Sequence, residues 1–258
     1  MTLDKNALAE AFCAIAERAG DEILRVYSGE FEVRSKADAS PVTDADERAE
    51  RLILEQLAEI APQTPVIAEE SVAAGRVPAI GDRPFLLVDP LDGTKEFVSR
   101  NGEFTVNIAL VENGLPVIGV VHLPVLAETY WCDADGVAWR LRDGERARIR
   151  ARAPADGLIA VASRSHSNPE TDAYLARFHI EERISAGSSL KFCRIAEGVA
   201  DIYPRIGRTM EWDIAAGHAV LAAAGGRVTT LDDAPLRYGK PGFANPPFVA
   251  WGLERPQH

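Results

Sequence analysis

The sequence has few residues of the types that mark disulfide-rich and zinc-dependent proteins. Its three cysteines, Cys13, Cys132 and Cys193, are odd in number, far apart and without a C-x-x-C pair. This pattern argues against a disulfide framework or a cysteine-bound zinc, and we interpret the three side chains as reduced cytosolic thiols. The five histidines show no metal-binding spacing, which disfavours zinc-hydrolase chemistry.

Long hydrophobic runs and an excess of basic residues are also missing. No apolar run approaches the roughly 20 residues that cross a bilayer, and the first residues show no signal-peptide pattern. We therefore expect a soluble cytoplasmic protein, with a loose peripheral association with the inner membrane left open. The net charge of -11 argues against binding of nucleic acid polymers. A small anionic substrate would have to be attracted by metal ions or by a few local basic residues.

The apolar pattern predicts helices first and strands afterwards. The 258 residues suffice for one large domain or two closely packed halves. Apolar residues at helical spacing predict a helix from Leu8 to Val26 and a second from Asp44 to Ile60, between Pro41 and Pro62. Short apolar or alternating runs then predict strands at 66–68, 85–88, 104–110, 117–121, 129–131 and 137–141. The first part should be two helices followed by an antiparallel meander.

The pattern changes near residues 153–157, after which predicted strands alternate with helices. Helices are expected over 169–179, 190–198 and 214–224, and strands over 158–162, 183–185, 202–203, 228–230 and 248–251. We therefore predict a mixed α/β (α+β) fold with two halves. Residues 1–152 would form an α+β half with an antiparallel sheet and most metal ligands, and residues 153–258 an α/β half.

The most informative segment reads Asp-Pro-Leu-Asp-Gly-Thr from residue 89 to residue 94 and follows a predicted buried strand. The proline stiffens the turn, so that Asp89 and Asp92 can face one point. Hard cations such as magnesium bind several oxygen ligands, and the Leu91 carbonyl can add one. Gly93 permits close backbone approach, and the N–H groups of Gly93 and Thr94 can hold a phosphate. The segment predicts a metal and phosphate site.

Further acidic residues lie at the ends of predicted elements. Glu69 and Glu70 end a strand, Asp46 opens the second helix, and Asp213 directly precedes the helix that begins at Ile214. Carboxylates gathered at the ends of buried elements repel one another, and bound divalent cations are the usual remedy.

Each acidic position also has a structural interpretation. Asp46 can complete a capping box with Thr43, and Asp213 can be a helix N-cap. Glu69 and Glu70 can lie in a solvated loop, while Asp89 and Asp92 can be turn formers. No single position decides between these interpretations, and only the set as a whole favours a metal site.

Taken together, these motifs resemble the inositol monophosphatase superfamily, in an ordered match that runs from about residue 44 to residue 250. The resemblance implies a layered αβαβα sandwich with two or three magnesium ions between the halves. It implies metal ligands at Glu69, Asp89, Asp92 and Asp213, together with the Leu91 carbonyl. It also implies an attacking water oriented by Thr94, with Asp46 or Glu70 nearby, and inhibition by lithium.

Several stretches resemble one branch more closely, the bacterial CysQ 3'(2'),5'-bisphosphate nucleotidases. They are residues 93–97 with Lys95 and Glu96, residues 101–110, residues 163–166 and residues 187–193. This branch implies hydrolysis of 3'-phosphoadenosine 5'-phosphate to AMP and phosphate, which clears a by-product of sulfate activation. The substrate contacts expected in these and neighbouring stretches are Gly93, Thr94, Lys95, Arg164, Ser188, Ser189, Lys191 and Arg205.

Other functions stay open at this stage. An inositol-1-monophosphatase or a sugar-bisphosphate phosphatase would use the same chemistry, and Lys95 with Glu96 weighs against the former only through resemblance. A non-catalytic, metal-binding regulatory protein is a third alternative, although Thr94 and Glu70 are both present. A nucleotide-binding module lacks support, since the chain has neither G-x-G-x-x-G nor G-x-x-x-x-G-K. The protein is expected to act on a small molecule as a monomer or homodimer.

Overall fold

The computed structural model of the chain describes residues 4–35, 41–154, 156–163 and 169–253. Within these ranges the elements follow in chain order: α1 (Lys5–Tyr27), β1 (Arg34–Ser35), β2 (Pro41–Val42), α2 (Asp44–Ile60), β3 (Val66–Ala68), α3 (Glu69–Ala73), β4 (Phe85–Asp92), α4 (Thr94–Val98), β5 (Thr105–Glu112), β6 (Leu115–Leu123), β7 (Glu128–Cys132), β8 (Ala138–Arg142), β9 (Glu145–Arg148), β10 (Leu158–Ser163), α5 (Pro169–Leu175), β11 (Ile180–Ala186), α6 (Leu190–Ala196), β12 (Ile202–Arg205), α7 (Glu211–Ala223), β13 (Arg227–Thr230) and β14 (Phe248–Trp251).

Helices α1 and α2 form the outer layer of the first half. The Asp4 side chain caps α1 by accepting hydrogen bonds from two backbone N–H groups of its first turn. Each helix buries one apolar stripe, which includes Phe12 and Ile15 on α1 and Ile53 and Leu57 on α2. Burial of these stripes against the neighbouring sheet is the main source of helix stability. The predicted bounds of α2 are confirmed.

The first sheet has seven strands in the order β3-β4-β5-β6-β7-β8-β9. Successive residues of its central strands alternate between two cores, as the pleat requires. Leu86 and Val88 pack with α1 and α2, whereas Phe85 and Leu87 face the opposite core. The predicted antiparallel meander is confirmed from β4 to β8 and continues into β9, which was not predicted, whereas β3 pairs parallel to β4.

The second sheet has the order β11-β10-β12-β14-β13, in which β10, β11 and β12 are parallel and β13 and β14 antiparallel to their neighbours. Helices α6 and α7 share one apolar core with strands of both sheets. Helix α5 covers the outer face, where Tyr174 and Leu175 pack with Trp251. The layers therefore run helix, sheet, helix, sheet, helix, which confirms the predicted sandwich.

Two helix predictions need correction. Helix α7 begins at Glu211 rather than Ile214, because Met210 has extended backbone geometry and its N–H is already capped. Helix α5 ends at Leu175 rather than near residue 179, since the chain turns there into β11. Among the described residues, no helix has the length and apolar character that a membrane crossing requires.

The two sheets fall on either side of residue 152, the predicted boundary between the halves. Helix α7, which lies after this boundary, nevertheless packs against strands β4, β5 and β6 of the first sheet. The division into 1–152 and 153–258 therefore stays a prediction about chain organisation. The packing of α7 against the first sheet matters for the site, because it brings carboxylates of that sheet and of α7 towards one another.

Candidate active site

The end of β4 is bent by a bulge in its pairing with β5. Asp89 lies opposite Asn107 and Asp92 lies opposite Thr105, so the two residues between the aspartates have no partner in the register. The first of them is proline, which cannot donate to a ladder in any case. The buried Asp89 carboxylate accepts a hydrogen bond from Leu91 N at 3.1 Å, which holds the corner in shape.

Gly93 follows the corner and has the positive φ of 96°, which a residue with a side chain rarely adopts. A Cβ atom at this position would lie 2.1 Å from Ser188 Oγ, far inside contact distance. Gly93 therefore permits close contact between the two halves. Helix α4 begins directly afterwards at Thr94.

Asp46 takes part in a helix cap and also contacts Thr94. Its Oδ2 accepts hydrogen bonds from the backbone N and the hydroxyl of Thr43, at 2.7 and 2.8 Å. Its Oδ1 accepts a hydrogen bond from the Thr94 hydroxyl at 3.3 Å. The predicted capping box is confirmed. It uses only one oxygen of the carboxylate, so a role for the other oxygen in the site stays a prediction.

Glu69 and Glu70 form the first turn of α3, where they are half-buried. The buried Glu50 of α2 holds this turn, because its carboxylate accepts hydrogen bonds from Glu70 N and from the Ser71 hydroxyl, both at 2.7 Å. Sequence reasoning missed Glu50. Its only signal was an acidic residue beside Ala49, on the edge of the buried stripe of α2.

Asp213 lies in the first turn of α7, as the third residue of the helix. Its Oδ2 accepts a hydrogen bond from Met210 N at 2.8 Å. The alternative that Asp213 is the N-cap is wrong, since Met210 holds that position. The backbone carbonyl of Asp213 accepts a hydrogen bond from the Ser189 hydroxyl at 2.7 Å.

The electrostatics show that acidic side chains of different elements act on one another here. The pKa of Asp92 is raised to about 6, mainly by burial and also by the charges of Glu96 and Glu69, against the opposing charge of Lys191. Burial also raises the pKa of Asp213 well above its usual range, with added repulsion from Asp92 and Glu69. Carboxylates from β4, α3 and α7 therefore lie close enough for their charges to act on one another.

Two predicted basic residues lie in the same region. The buried Lys191 has its ammonium group 5.5 Å from the Tyr203 ring centre and 3.4 Å from the Ala186 carbonyl. Its pKa is lowered to about 8, mainly by burial, with the charge of Asp92 opposing the shift and the charge of Arg205 adding to it. Arg205 also acts on Asp213, whose pKa it lowers. Lys191 and Arg205 therefore place positive charge beside the acidic cluster.

Comparisons with known proteins identify the family and the fold of the chain. The model of the inositol monophosphatase family matches residues 4–254. The 3'(2'),5'-bisphosphate nucleotidase CysQ of Salmonella typhimurium is 47% identical over 93% of this chain and 98% of its own. The crystal structure of CysQ from Bacteroides thetaiotaomicron superposes with a TM-score of 0.79 at 40% identity, covering 98% of this chain and 100% of that one. The Thermotoga maritima IMPase gives 0.75 at 26% identity, with 93% and 90% covered.

The chain belongs to the inositol monophosphatase family. The ordered motifs at residues 69–70, 89–94 and 211–213 thus correctly indicated the family and its fold. Among the other predicted site residues, Lys95 is exposed on α4. Arg164 lies outside the described residues. Both stay predictions as substrate contacts.

The donors suit the metal that this family resemblance implies. Glu69, Asp89, Asp92 and Asp213 have carboxylate oxygens and Leu91 a carbonyl oxygen, which are the kinds of donor that a hard divalent cation prefers. The pKa values of Asp92 and Asp213 are raised first by desolvation and then by repulsion from neighbouring carboxylates, and bound cations relieve such repulsion. As the side chains stand, no group of three or more His, Cys, Asp or Glu residues in the described ranges is placed to hold an ion.

Proposed function

We propose that this protein is a magnesium-dependent 3'(2'),5'-bisphosphate nucleotidase that releases phosphate from 3'-phosphoadenosine 5'-phosphate and leaves AMP. The observation that carries the proposal is the position of Lys191 and Arg205 beside the carboxylates of Asp92 and Asp213. A substrate with two phosphates needs metal ions at the phosphate that is cleaved and separate positive charge at the other. The relatives named CysQ, 40–47% identical over most of the chain, support the same substrate.

The carboxylates of Glu69, Asp89, Asp92 and Asp213 and the Leu91 carbonyl would hold two or three magnesium ions. When bound, magnesium lowers the pKa of a water molecule and neutralises charge that develops on the phosphoryl group and the leaving oxygen. The protein's own contribution is to fix these donors on β4, α3 and α7 before the substrate arrives.

Thr94 and Asp46 would orient the attacking water. The Thr94 hydroxyl donates its proton to Asp46 Oδ1, so its oxygen keeps lone pairs that can accept a hydrogen bond from water. Asp46 can then receive a proton through Thr94, with Glu70 as the second candidate base. The N–H groups of Gly93 and Thr94 are proposed to hold the phosphoryl group during in-line attack.

The second phosphate would be bound by Lys191 and Arg205, with Lys95 and Arg164 as further candidates. Because Lys191 is buried and its pKa is lowered to about 8, its charge is carried at neutral pH in a poorly solvated place, where an anion gains most from it. Ser188 and Ser189 direct their hydroxyl protons to backbone carbonyls. If these serines contact the substrate, they would do so through polar atoms other than these hydroxyl protons.

The test is phosphate release in magnesium from 3'-phosphoadenosine 5'-phosphate, inositol 1-phosphate and fructose 1,6-bisphosphate, each with and without lithium. The proposal expects a strong preference for the nucleotide, and inhibition of that activity by lithium. A preference for inositol phosphate or for the sugar bisphosphate would contradict the substrate and keep the family chemistry. No turnover of any substrate, with magnesium still bound, would favour the regulatory alternative.

The cellular role that follows is removal of a by-product of sulfate activation in the cytoplasm. Sedimentation of the purified chain distinguishes a monomer from a homodimer. Peripheral attachment is decided by its co-sedimentation with vesicles of inner-membrane lipid composition.

A further inference from the structure

Two consecutive serines connect the two halves at the acidic cluster. The Ser188 hydroxyl donates to the backbone carbonyl of Asp92, and the Ser189 hydroxyl donates to the backbone carbonyl of Asp213, both at 2.7 Å. Asp92 ends a strand of the first sheet, whereas Asp213 lies on α7. One turn of chain therefore holds the backbones of two acidic residues that are distant in sequence.

Asn107 adds a side-chain link between the same two residues. It lies on β5 with about 1% of its surface exposed, and its Nδ2 lies 3.4 Å from Asp92 Oδ2 and 3.2 Å from Ser189 Oγ. A carboxamide nitrogen carries two protons, so it can donate to both acceptors at once. The result is a continuous chain of hydrogen bonds from the Asp92 carboxylate through Asn107 and Ser189 to the Asp213 carbonyl.

We infer that Asn107 and Ser189 are positioning residues, whose bridge sets the separation of Asp92 and Asp213 and so the geometry of the metal site. This inference rests on the proposed function, in which both aspartates hold magnesium. The bridge occupies Asp92 Oδ2, and Met210 N occupies Asp213 Oδ2, so that within the described part of the chain the other oxygen of each carboxylate is available to a cation. Groups that orient metal ligands in this way typically change metal affinity 10- to 100-fold when removed.

The residue types fit this role. An amide and a hydroxyl supply directed hydrogen bonds without adding charge to a region that already concentrates negative charge. Asn107 is anchored in a central strand that pairs on both sides, so its position is rigid. The Thr105 hydroxyl also lies 3.5 Å from Asp92 Oδ2, but among the described contacts it has no hydrogen bond to Ser189. Substitution of Thr105 therefore removes a contact to Asp92 and leaves the bridge to Asp213 in place.

The experiment measures magnesium binding by isothermal titration calorimetry without substrate, alongside kcat and KM. It uses the wild type, Asn107→Leu, Ser189→Ala, the double variant, and Thr105→Val. Thr129→Val is the matched control, because it removes a buried hydroxyl whose partner is His122, away from the acidic cluster. Thermal unfolding in the absence of magnesium shows whether each variant is folded.

Asn107→Leu and Ser189→Ala should each weaken magnesium binding about 10- to 100-fold, with Thr105→Val weaker in effect and Thr129→Val unchanged. Because both single variants break one bridge, the double variant should match the more affected single variant within a factor of about two. Wild-type affinity in either single variant, or losses that multiply in the double variant, overturns the bridge. If Asn107→Leu does not fold, Ser189→Ala, which removes one oxygen, decides alone.

The wild-type arm separates this inference from the proposed function. A wild type that neither binds magnesium nor releases phosphate contradicts the proposed function, and the bridge with it. If the wild type binds magnesium and releases phosphate, and the variants bind magnesium as tightly as the wild type, only the bridge is contradicted.

Discussion

Thr94 Oγ1 lies 3.3 Å from Asp46 Oδ1, although the two residues are 48 positions apart and belong to the first turns of different helices. The other oxygen of the same carboxylate closes the capping box of α2. One buried side chain thus stabilises a helix and faces the proposed nucleophile position. The two roles can be separated by substitution.

Asp46→Asn should keep most of the stability and lose most of the activity. An asparagine oxygen can still accept the hydrogen bond from Thr43 N, but the amide cannot take up a proton from Thr94. Asp46→Ala should also lose the cap, at a cost of about 0.5–2 kcal/mol in the free energy of unfolding. Urea unfolding and kcat of both variants check this. If the two variants are equally stable, the capping role of Asp46 is contradicted. If Asp46→Asn keeps full activity, the catalytic role is contradicted.

Thr94→Val should lower kcat about 100- to 10,000-fold, because it removes the hydroxyl that orients the water and leaves the shape of the side chain. Thr94→Ser keeps the hydroxyl and should retain far more activity. Steady-state kinetics with saturating magnesium distinguish the pair. Similar kcat values for valine and serine would show that the hydroxyl has no part in the reaction.

Asp89→Asn and Asp213→Asn should each abolish turnover while the fold survives. In Asp213→Asn the side-chain oxygen can still accept the hydrogen bond from Met210 N, so the start of α7 is preserved. What is lost is the negative charge that a divalent cation needs. Phosphate release, magnesium calorimetry and thermal unfolding, measured on the same preparations, check the prediction. Full activity of either variant removes that residue from the proposed ligands.

Asp92 should make the magnesium-free protein less stable as the pH rises. Its pKa lies near 6 in the folded protein, above the ordinary 3.8, so the folded state holds the proton more tightly. Stability is therefore lost between about pH 4 and pH 6, and Asp92→Asn should remove this loss. Each kcal/mol corresponds to about 2–4 °C in Tm for a chain of this size class.

The measurement is thermal unfolding of wild type and Asp92→Asn with a chelator, at pH 4.5 and pH 7.5. The variant should unfold at the higher temperature at pH 7.5, and magnesium should reverse that order by stabilising only the wild type. If the two proteins respond alike to pH and to magnesium, Asp92 neither carries the raised pKa nor binds the ion.

Glu50→Ala should both destabilise the protein and weaken magnesium binding. It leaves the Glu70 N–H without its acceptor in a partly buried turn, which costs about 1–3 kcal/mol, and it releases Glu69 from its fixed position. Glu50→Gln can keep both contacts through its amide oxygen and nitrogen and should be milder. Glu55→Ala, on an exposed position of the same helix, is the control. Magnesium affinity equal to that of the control would limit Glu50 to a role in stability.

The sequence by itself determined most of the longer elements and the family, but not the short helices α3 and α4 or the strand β9. The bounds of α2 followed from an apolar stripe between two prolines, since helical periodicity is a local property. The acidic motifs around residues 69, 89–94 and 213 were sufficient to indicate the family, because their order along the chain is itself a signal. The start of α7 was missed by three residues, since Met210 gives no capping signal in sequence.

Only the tertiary structure decided how the site is held together. Glu50 supports a turn twenty residues ahead, and Asn107 on β5 contacts Ser189, which lies 82 residues later at the start of α6. Asp46 closes the capping box of α2 and also accepts a hydrogen bond from Thr94, a second contact that its sequence context left open. Such contacts depend on which side chains meet when layers pack, and no periodicity or spacing within one segment encodes that. The sequence therefore indicated the proposed ligands, and packing decided which neutral side chains hold them in position.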